Sequence, residues 1–327
     1  MRFDRFSRRE ALASIAVTAL CGAQAQAQDA SGYPSKPVRI VVPFTAGGSS
    51  DVLGRIVAEK LSVSLGQPVL VENKAGAAAI LGTNFVAKAP PDGYTLLVAT
   101  SGAVVFNAAI YSKLPYAPEK ELAPVSMICS YPLMLIVPPN SPNHSLKELV
   151  AFSKASPDKS NYASAAASIQ LATELLKSRL GIAAQHIPYK GGADANNAVM
   201  AGEVSMYLTD TATGAALVKG GRVRALAVTN DRRIAGFPDL PTLQEQGVDL
   251  TMKIWVGLFA PTGTPPAIVK RLQAEVAKMV RMPDVQERMA TMTISPEGGT
   301  SEELGAVVSS EIRLWSAVAK ANNIKAD

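Results

Sequence analysis

Histidine and cysteine are scarce in this chain of 327 residues, which holds 2 of each. His144 and His186 lie far from each other and from Cys21 and Cys129, so no metal-ligand spacing arises. The sequence also lacks the H-E-x-x-H pattern of zinc hydrolases and the G-x-S-x-G turn of serine hydrolases. We therefore predict a protein that is not an enzyme and that binds neither a metal nor a cofactor.

Charged residues are also few, at 18% of the chain against 48% hydrophobic residues. The formal net charge is only +5, and no block of lysine and arginine is interleaved with aromatic residues. This pattern excludes a dedicated nucleic-acid surface. Length and the even spread of 22 prolines and 24 glycines predict a folded α/β protein with room for two domains.

The first 27 residues resemble an export signal. Four arginines precede an apolar run at 11–20, and alternating alanines at 23–27 offer a cleavage site after Ala27. Arg8-Arg9 fits a twin-arginine signal in part, so both Tat and Sec export stay open. We expect a periplasmic protein in which Cys129 is the only remaining cysteine and is buried.

The most informative segment joins a strand, a glycine turn and a helix. A β-branched run ends at Pro43, Gly47-Gly48 allows a sharp turn, and polar residues 49–51 precede the amphipathic pattern at 52–65. Because a helix N-terminus carries free N–H groups and partial positive charge, it suits a carboxylate or phosphate. The alternative is an ordinary capped turn between a strand and a helix.

The same design recurs along the chain, which predicts an α/β fold with a mainly parallel sheet. Short segments rich in glycine or hydroxyl groups follow further strands at 100–102, 164–168, 190–192 and 209–211. In open α/β sheets, ligands bind at the carboxyl ends of strands. A second helix is predicted from about Ala75 to Ala89.

Five segments resemble the Bug family of periplasmic binding proteins, the receptors of tripartite tricarboxylate transporters. They are P-F-T-A-G-G-S-S-D at 43–51, N-K-A-G-A at 73–77, P-D-G-Y-T-L at 91–96, P-Y-K-G at 188–191 and W-V-G-L-F-A-P at 255–261. They occur in the family's order across nearly the whole chain after residue 27. The family pattern has a longer glycine-containing loop where this chain has residues 164–171.

The resemblance implies a type II periplasmic binding protein with two doubly wound α/β domains joined by two crossing strands. The expected boundaries are residues 1–27 for the signal peptide, 28–127 with 229–327 for domain 1, and 128–228 for domain 2. It also implies a cleft that captures a small carboxylate, which includes di- and tricarboxylates, acidic amino acids and aromatic acids. The expected ligand-binding residues are Phe44, Thr45, Gly47, Gly48, Ser49, Asp51, Ser101, Gly102, Ser164, Ser168, Gly192, Asp210 and Thr211.

Individual roles follow from side-chain chemistry. Hydroxyl groups of the site are expected to donate hydrogen bonds to a ligand carboxylate, and Phe44 to form a wall. Asp51 would repel an anion, so it is expected to cap the first helix and orient the loop. Asp210 is expected to bind a water or a ligand ammonium group, or else to be solvated at a strand end.

Two functions stay open at this point. In the first, the protein delivers a carboxylate to the membrane subunits of a tripartite transporter. In the second, its closed form signals to a periplasmic sensor kinase. An exported esterase is a weaker third hypothesis. In each case we expect a monomer.

Overall fold

A single mixed β-sheet organises the part of the chain that the computed structural model describes, residues 32–234 and 236–326. The predicted signal peptide lies outside the described residues. The strand order is β2-β1-β3-β9-β4-β7-β5-β6, and β8 and β10 pair with β4 off this path. The strands are β1 (Val38–Val42), β2 (Val69–Asn73), β3 (Thr95–Thr100), β4 (Leu122–Val137), β5 (Asn161–Ser164), β6 (Gln185–Pro188), β7 (Met206–Asp210), β8 (Arg224–Val228), β9 (Lys253–Pro261) and β10 (Ser295–Pro296).

Two parallel units lie at opposite ends of this sheet. We call β1, β2, β3 and β9, with the loops and helices that follow them, part A, and β5, β6 and β7, with the loops and helices that follow them, part B. In part A, β1 pairs in parallel with β2 and β3, and in part B, β5 pairs in parallel with β6 and β7. The first half of β4 pairs with β9 and the second half with β7 and β8, in each case antiparallel. One long strand, β4, therefore pairs with strands of both parts.

Helices cover the sheet and connect its strands. They are α1 (Ser49–Leu65), α2 (Ile80–Ala87), α3 (Asn107–Ile110), α4 (Pro118–Glu121), α5 (Leu146–Ala155), α6 (Ala167–Leu180), α7 (Gly192–Ala201), α8 (Thr211–Lys219), α9 (Pro266–Met279), α10 (Pro283–Thr291) and α11 (Ser301–Ala321), with a π-helical segment at Gly102–Phe106. Because helices lie on both faces of the parallel strands, residues such as Ile40, Val41, Leu96 and Leu97 are fully buried.

Local sequence patterns predicted most of these elements. Ser145 caps α5 by accepting a hydrogen bond from the Glu148 N–H, and Cys129 is fully buried, both as expected. Trp255 is buried as well, and its indole N–H donates to Glu311 at 2.8 Å.

Two predictions about secondary structure were wrong. The sheet is mixed rather than mainly parallel, because the long strands β4 and β9 run antiparallel to their neighbours. The second helix begins at Ile80 rather than near Ala75. Ala77, Ala78 and Ala79 have φ values of 46°, 50° and 73°, so the chain turns through the left-handed region before the helix begins.

The residues from Tyr33 onward form one compact unit. The predicted boundaries between two domains therefore stay a prediction, although β4 is continuous across the point where the first boundary was expected. In the described ranges, no helix combines the length and apolar character needed to cross a membrane. Those ranges also contain no cluster of three or more histidine, cysteine, aspartate or glutamate side chains that suits a metal ion.

Candidate functional site

A cavity of about 130 Å³ lies between part A and part B, where strands from both parts end. A cavity of this size accommodates several waters or one small organic molecule. It is lined by Phe44, Thr45, Gly47, Gly48, Ser49, Ser50, Thr100, Tyr131, Leu133, Ala165, Ala166, Ser168, Ile169, Gly192, Ala193, Tyr207, Asp210, Thr213 and Ile254.

Three helices begin at this cavity without a side-chain cap. The residues preceding α1, α6 and α7 are Gly48, Ala166 and Gly191, each in extended conformation and none with a capping side chain. Ser49 and Ser50, Ser168 and Ile169, and Gly192 and Ala193 of these first turns line the cavity. Since the first N–H groups of a helix have no partner within the helix, three sets of donors and three positive dipole ends meet here.

Four buried hydroxyl groups add to this set of donors. Thr100, Tyr131, Ser168 and Tyr207 line the cavity and are at most 5% exposed, yet their hydroxyls make no hydrogen bond to a described residue. Burial, reinforced by the nearby Asp210 carboxylate, raises the pKa of Tyr131 and of Tyr207. Both phenols therefore keep their protons at physiological pH and can donate to a ligand.

Asp51 stabilises the glycine turn through the hydrogen bonds of its carboxylate. Its carboxylate accepts hydrogen bonds from the Gly47 N–H at 2.9 Å, Arg55 Nε at 3.0 Å and Asn73 Nδ2 at 3.0 Å. Burial favours the neutral acid, but these hydrogen bonds outweigh it and lower the pKa of Asp51. Asp51 orients the loop, as expected, but it does not cap α1, because its carboxylate bonds to the Gly47 N–H, which precedes the helix.

Part A and part B touch across the cavity. The Ser49 hydroxyl donates to Asp210 Oδ1 at 2.7 Å and lies 3.1 Å from Thr213 Oγ1. A Cβ atom at Gly191 would lie only 2.7 Å from Thr45 Oγ1. Glycine at 191 therefore allows a backbone approach that no other residue permits without displacement.

Asp210 is the one acidic residue among those that line the cavity. Its Oδ1 accepts the Thr213 N–H at 2.8 Å and so caps α8. No lysine, arginine or histidine lines the cavity, and Lys190 is exposed. An anion bound here would be held by neutral donors and helix termini rather than by a cationic side chain.

Eight of the predicted ligand-binding residues line this cavity, namely Phe44, Thr45, Gly47, Gly48, Ser49, Ser168, Gly192 and Asp210. The structure thus brings together, from distant parts of the sequence, residues that were predicted from local patterns and from the resemblance to the Bug family. Their contact with a ligand stays a prediction.

The other five predicted residues lie outside the cavity lining. Asp51 supports the loop, Ser101 is fully buried with no partner for its hydroxyl among the described residues, and Thr211 is buried at the start of α8. Gly102 does not line the cavity, but a Cβ at this position would lie 3.1 Å from Oγ of the lining residue Ser168. Ser164 Oγ is 2.6 Å from His186 Nε2 and faces a second cavity of about 420 Å³.

Sequence reasoning missed several lining residues, among them Tyr131, Leu133, Tyr207 and Ile254. Tyr131 and Leu133 lie within the long strand β4, and Tyr207 within β7, in apolar runs typical of a core. A polar hydroxyl within such a run was the one available signal, since a buried tyrosine hydroxyl normally has a partner.

Fold and cavity define a type II periplasmic binding protein. The periplasmic binding protein BugD superposes with a TM-score of 0.85 at 34% identity, over 90% of this chain and 99% of that one. Rpa4515 of R. palustris, solved with adipate, gives a TM-score of 0.86 at 32% identity over 90% of this chain and 99% of its own.

The match to a sequence family is equally extensive. The chain belongs to the tripartite tricarboxylate transporter family receptors, whose family model matches residues 53–324. A relative in the tcbD-tcbE intergenic region of Pseudomonas sp. strain P51 is 37% identical over 312 residues, which cover 94% of this chain and 92% of that protein. The resemblance to the Bug family is confirmed, and this is a family of solute-binding proteins.

Proposed function

We propose that this protein is a periplasmic receptor that captures a small carboxylate in the cavity between part A and part B. The observation that carries the proposal is the convergence of three uncapped helix N-termini on one cavity. Each hydrogen bond from such a donor to a carboxylate contributes about 1.5 to 3 kcal/mol. A few of them replace the water that a carboxylate loses on entry.

Ligand capture is proposed to proceed by closure of one domain on the other. Ser49 with Asp210 and Thr45 with Gly191 are contacts that form only when the two parts meet. We keep the boundaries at 28–127 with 229–327 and at 128–228. The strand β4 forms the first crossing, and Thr229, whose N–H donates to the Leu133 carbonyl at 2.9 Å, begins the second. A ligand that contacts both domains favours the closed form.

Delivery to the membrane subunits of a tripartite transporter is the proposed role of the closed form. The description of the family as transporter receptors supports this partner, and the adipate found in Rpa4515 supports a small carboxylate as the ligand class. Export through the N-terminal signal would place the receptor in the periplasm with its partner.

A thermal-shift screen tests the binding step. Protein of residues 28–327, refolded to remove bound ligand, is screened against mono-, di- and tricarboxylates, aromatic acids and amino acids. A ligand present at a hundred times its Kd stabilises the native state by about 2.7 kcal/mol, which is a shift of several degrees. No shift with any carboxylate, from protein shown to be folded, would refute the proposal.

Two glycine variants test where and how the ligand binds. Gly191→Ala places a methyl group against Thr45 and is expected to weaken binding by obstructing closure. Gly236→Ala is the matched control, because this glycine lies outside the cavity lining and a Cβ there is 3.6 Å from its nearest neighbour, Thr293 Cγ2, so affinity is expected to stay unchanged. Equal affinity in both variants would contradict the closed geometry.

A further inference from the structure

We propose that the second cavity, of about 420 Å³, is a separate binding site for an oxyanion, so that the receptor can hold two anions at once. This cavity has about three times the volume of the first, and the two linings share only Ala165 and Ala166. Capture of a carboxylate in the first cavity leaves the second without a role.

Both parts of the protein contribute to the second cavity. Ala77 and Ala78 follow β2 in part A, whereas residues 164–167 and 188–190 lie at the ends of β5 and β6 and in the segments after them, in part B. Two of the five segments that carry the family resemblance, 73–77 and 188–191, thus meet at this cavity, although neither lines the first. An oxyanion held here bridges the two parts.

The charge of the lining favours an anion. Among the described residues that line the second cavity none is acidic, whereas Lys190 and His186 both belong to the lining. Lys190 makes no ion pair with a described residue, so its ammonium group is available to a ligand. Glu174, whose charge acts on His186, is itself paired with Lys177 at 2.8 Å. The first cavity has the opposite character, with one aspartate and no basic residue.

Backbone donors come from both sides of the second cavity. The N–H groups of Ala77 and Ala78 make no hydrogen bond to a described residue, and these alanines have φ values of 46° and 50°. Alanine disfavours this left-handed conformation, and such outliers are concentrated at ligand sites. From part B, Ala167 begins α6, whose first N–H groups have no partner within the helix. A bound anion would accept these donors and so account for the unfavourable turn at Ala77 and Ala78.

Ser164 and His186 supply a side-chain donor. Ser164 Oγ lies 2.6 Å from His186 Nε2, and both residues line the second cavity. Burial lowers the pKa of His186, so its imidazole is neutral at neutral pH. The hydroxyl and the neutral ring then carry two protons, of which one lies in the bond between them. The other, on the serine hydroxyl or on His186 Nδ1, remains available to an acceptor.

Calorimetric titration of the exported protein after refolding tests the proposal. The probes are inorganic phosphate, sulfate, acetate and benzoate, each titrated alone and with the first cavity saturated by the best ligand of the thermal-shift screen. We expect at least one probe to bind with one equivalent per chain, and to bind also while the first cavity is occupied. Comparison of phosphate and sulfate with acetate and benzoate distinguishes an inorganic oxyanion from a carboxylate.

Charge changes on the two sides of the cavity locate the bound probe. Lys190→Glu is expected to weaken its binding at least tenfold, whereas Lys270→Glu, at an exposed position of α9 outside both linings, is the control and should not. Ala77→Asp places a carboxylate on the left-handed turn and should also weaken binding at least tenfold. Ala77→Asn is its matched control, because asparagine accepts the same backbone conformation without a charge. The affinity for the ligand of the first cavity should fall far less than the affinity for the probe.

The outcomes distinguish this second site from the proposed function. If no probe binds with an additional equivalent, or if its binding survives either Lys190→Glu or Ala77→Asp, the second site is overturned and the carboxylate receptor stands. If a probe binds and both substitutions weaken it, while no carboxylate of the screen binds in the first cavity, the proposed function alone is overturned.

Discussion

Replacing Ala166 by aspartate should stabilise the protein and abolish ligand binding at once. Ala166 precedes α6 in extended conformation, with φ −158° and ψ 156°, and offers no side-chain cap. An aspartate at this position has the backbone geometry of a helix cap, so its carboxylate can accept the free N–H groups of the first turn. Those N–H groups are the ones that we assign to the ligand.

The two effects have opposite signs and different sizes. Gaining a cap in place of alanine stabilises a helix by about 0.5 to 2 kcal/mol. The ligand loses at least one charge-assisted bond of about 1.5 to 3 kcal/mol. It also meets a negative charge at about 4 Å, which costs on the order of 4 kcal/mol in a partly solvated site. Together these losses exceed 3 kcal/mol, so affinity should fall by more than about a hundredfold.

Thermal melts without ligand and titration calorimetry with the best ligand of the screen measure the two effects separately. Ala166→Asn is the matched control, because it supplies a cap without charge and should show a similar gain in stability with a smaller loss of affinity. An aspartate variant that melts higher and still binds with the original affinity would show that the α6 terminus does not hold the ligand. A variant with a lower melting temperature would show that these N–H groups are not free.

Three further outcomes are expected. Tyr207→Phe removes a buried hydroxyl that has no partner among the described residues; calorimetry should show affinity about tenfold lower, and melts without ligand should show no loss of stability. Ala77→Gly relieves a left-handed alanine with φ 46° and should raise stability by about 0.5 kcal/mol, whereas Ala75→Gly should not; a lower melting temperature for Ala77→Gly would contradict the strain. The pKa of Asp51 is lowered in the folded state, so its contribution is present above about pH 4 and is lost as the pH falls further. Melts between pH 3 and 7 should therefore show a shallower acid destabilisation for Asp51→Asn, and an unchanged pH profile would exclude this role.

Local sequence patterns determined the elements whose conformation depends only on residues close in sequence. The strand before Pro43, the turn at Gly47-Gly48 and the helix α1 follow from β-branched residues, from glycine's access to positive φ (84° at Gly47) and from an apolar face at helical spacing. The same reasoning located the α7 terminus at Gly192 and Asp210 at the end of β7. These are short-range preferences, and the sequence carries them without help from distant residues.

The sequence also placed the chain in its family, because five motifs in a fixed order carry more information than their individual conformations. It could not show that Asp51 would hold the Gly47 N–H instead of capping α1, because both arrangements satisfy the same carboxylate. Nor could it show that alanines 77–79 would adopt positive φ, since alanine's own preference opposes it.

Tertiary structure alone decided the composition of the cavity. Tyr131 and Tyr207 belong to apolar runs typical of a core, and the antiparallel pairing of β4 with β7 places Tyr131 near Tyr207 and Asp210. The meeting of Ser49 with Asp210, 161 residues apart, depends likewise on how part A closes on part B. The sequence specifies the chemistry of each side chain. Long-range packing, which no local preference encodes, decides which of the donors face the same ligand.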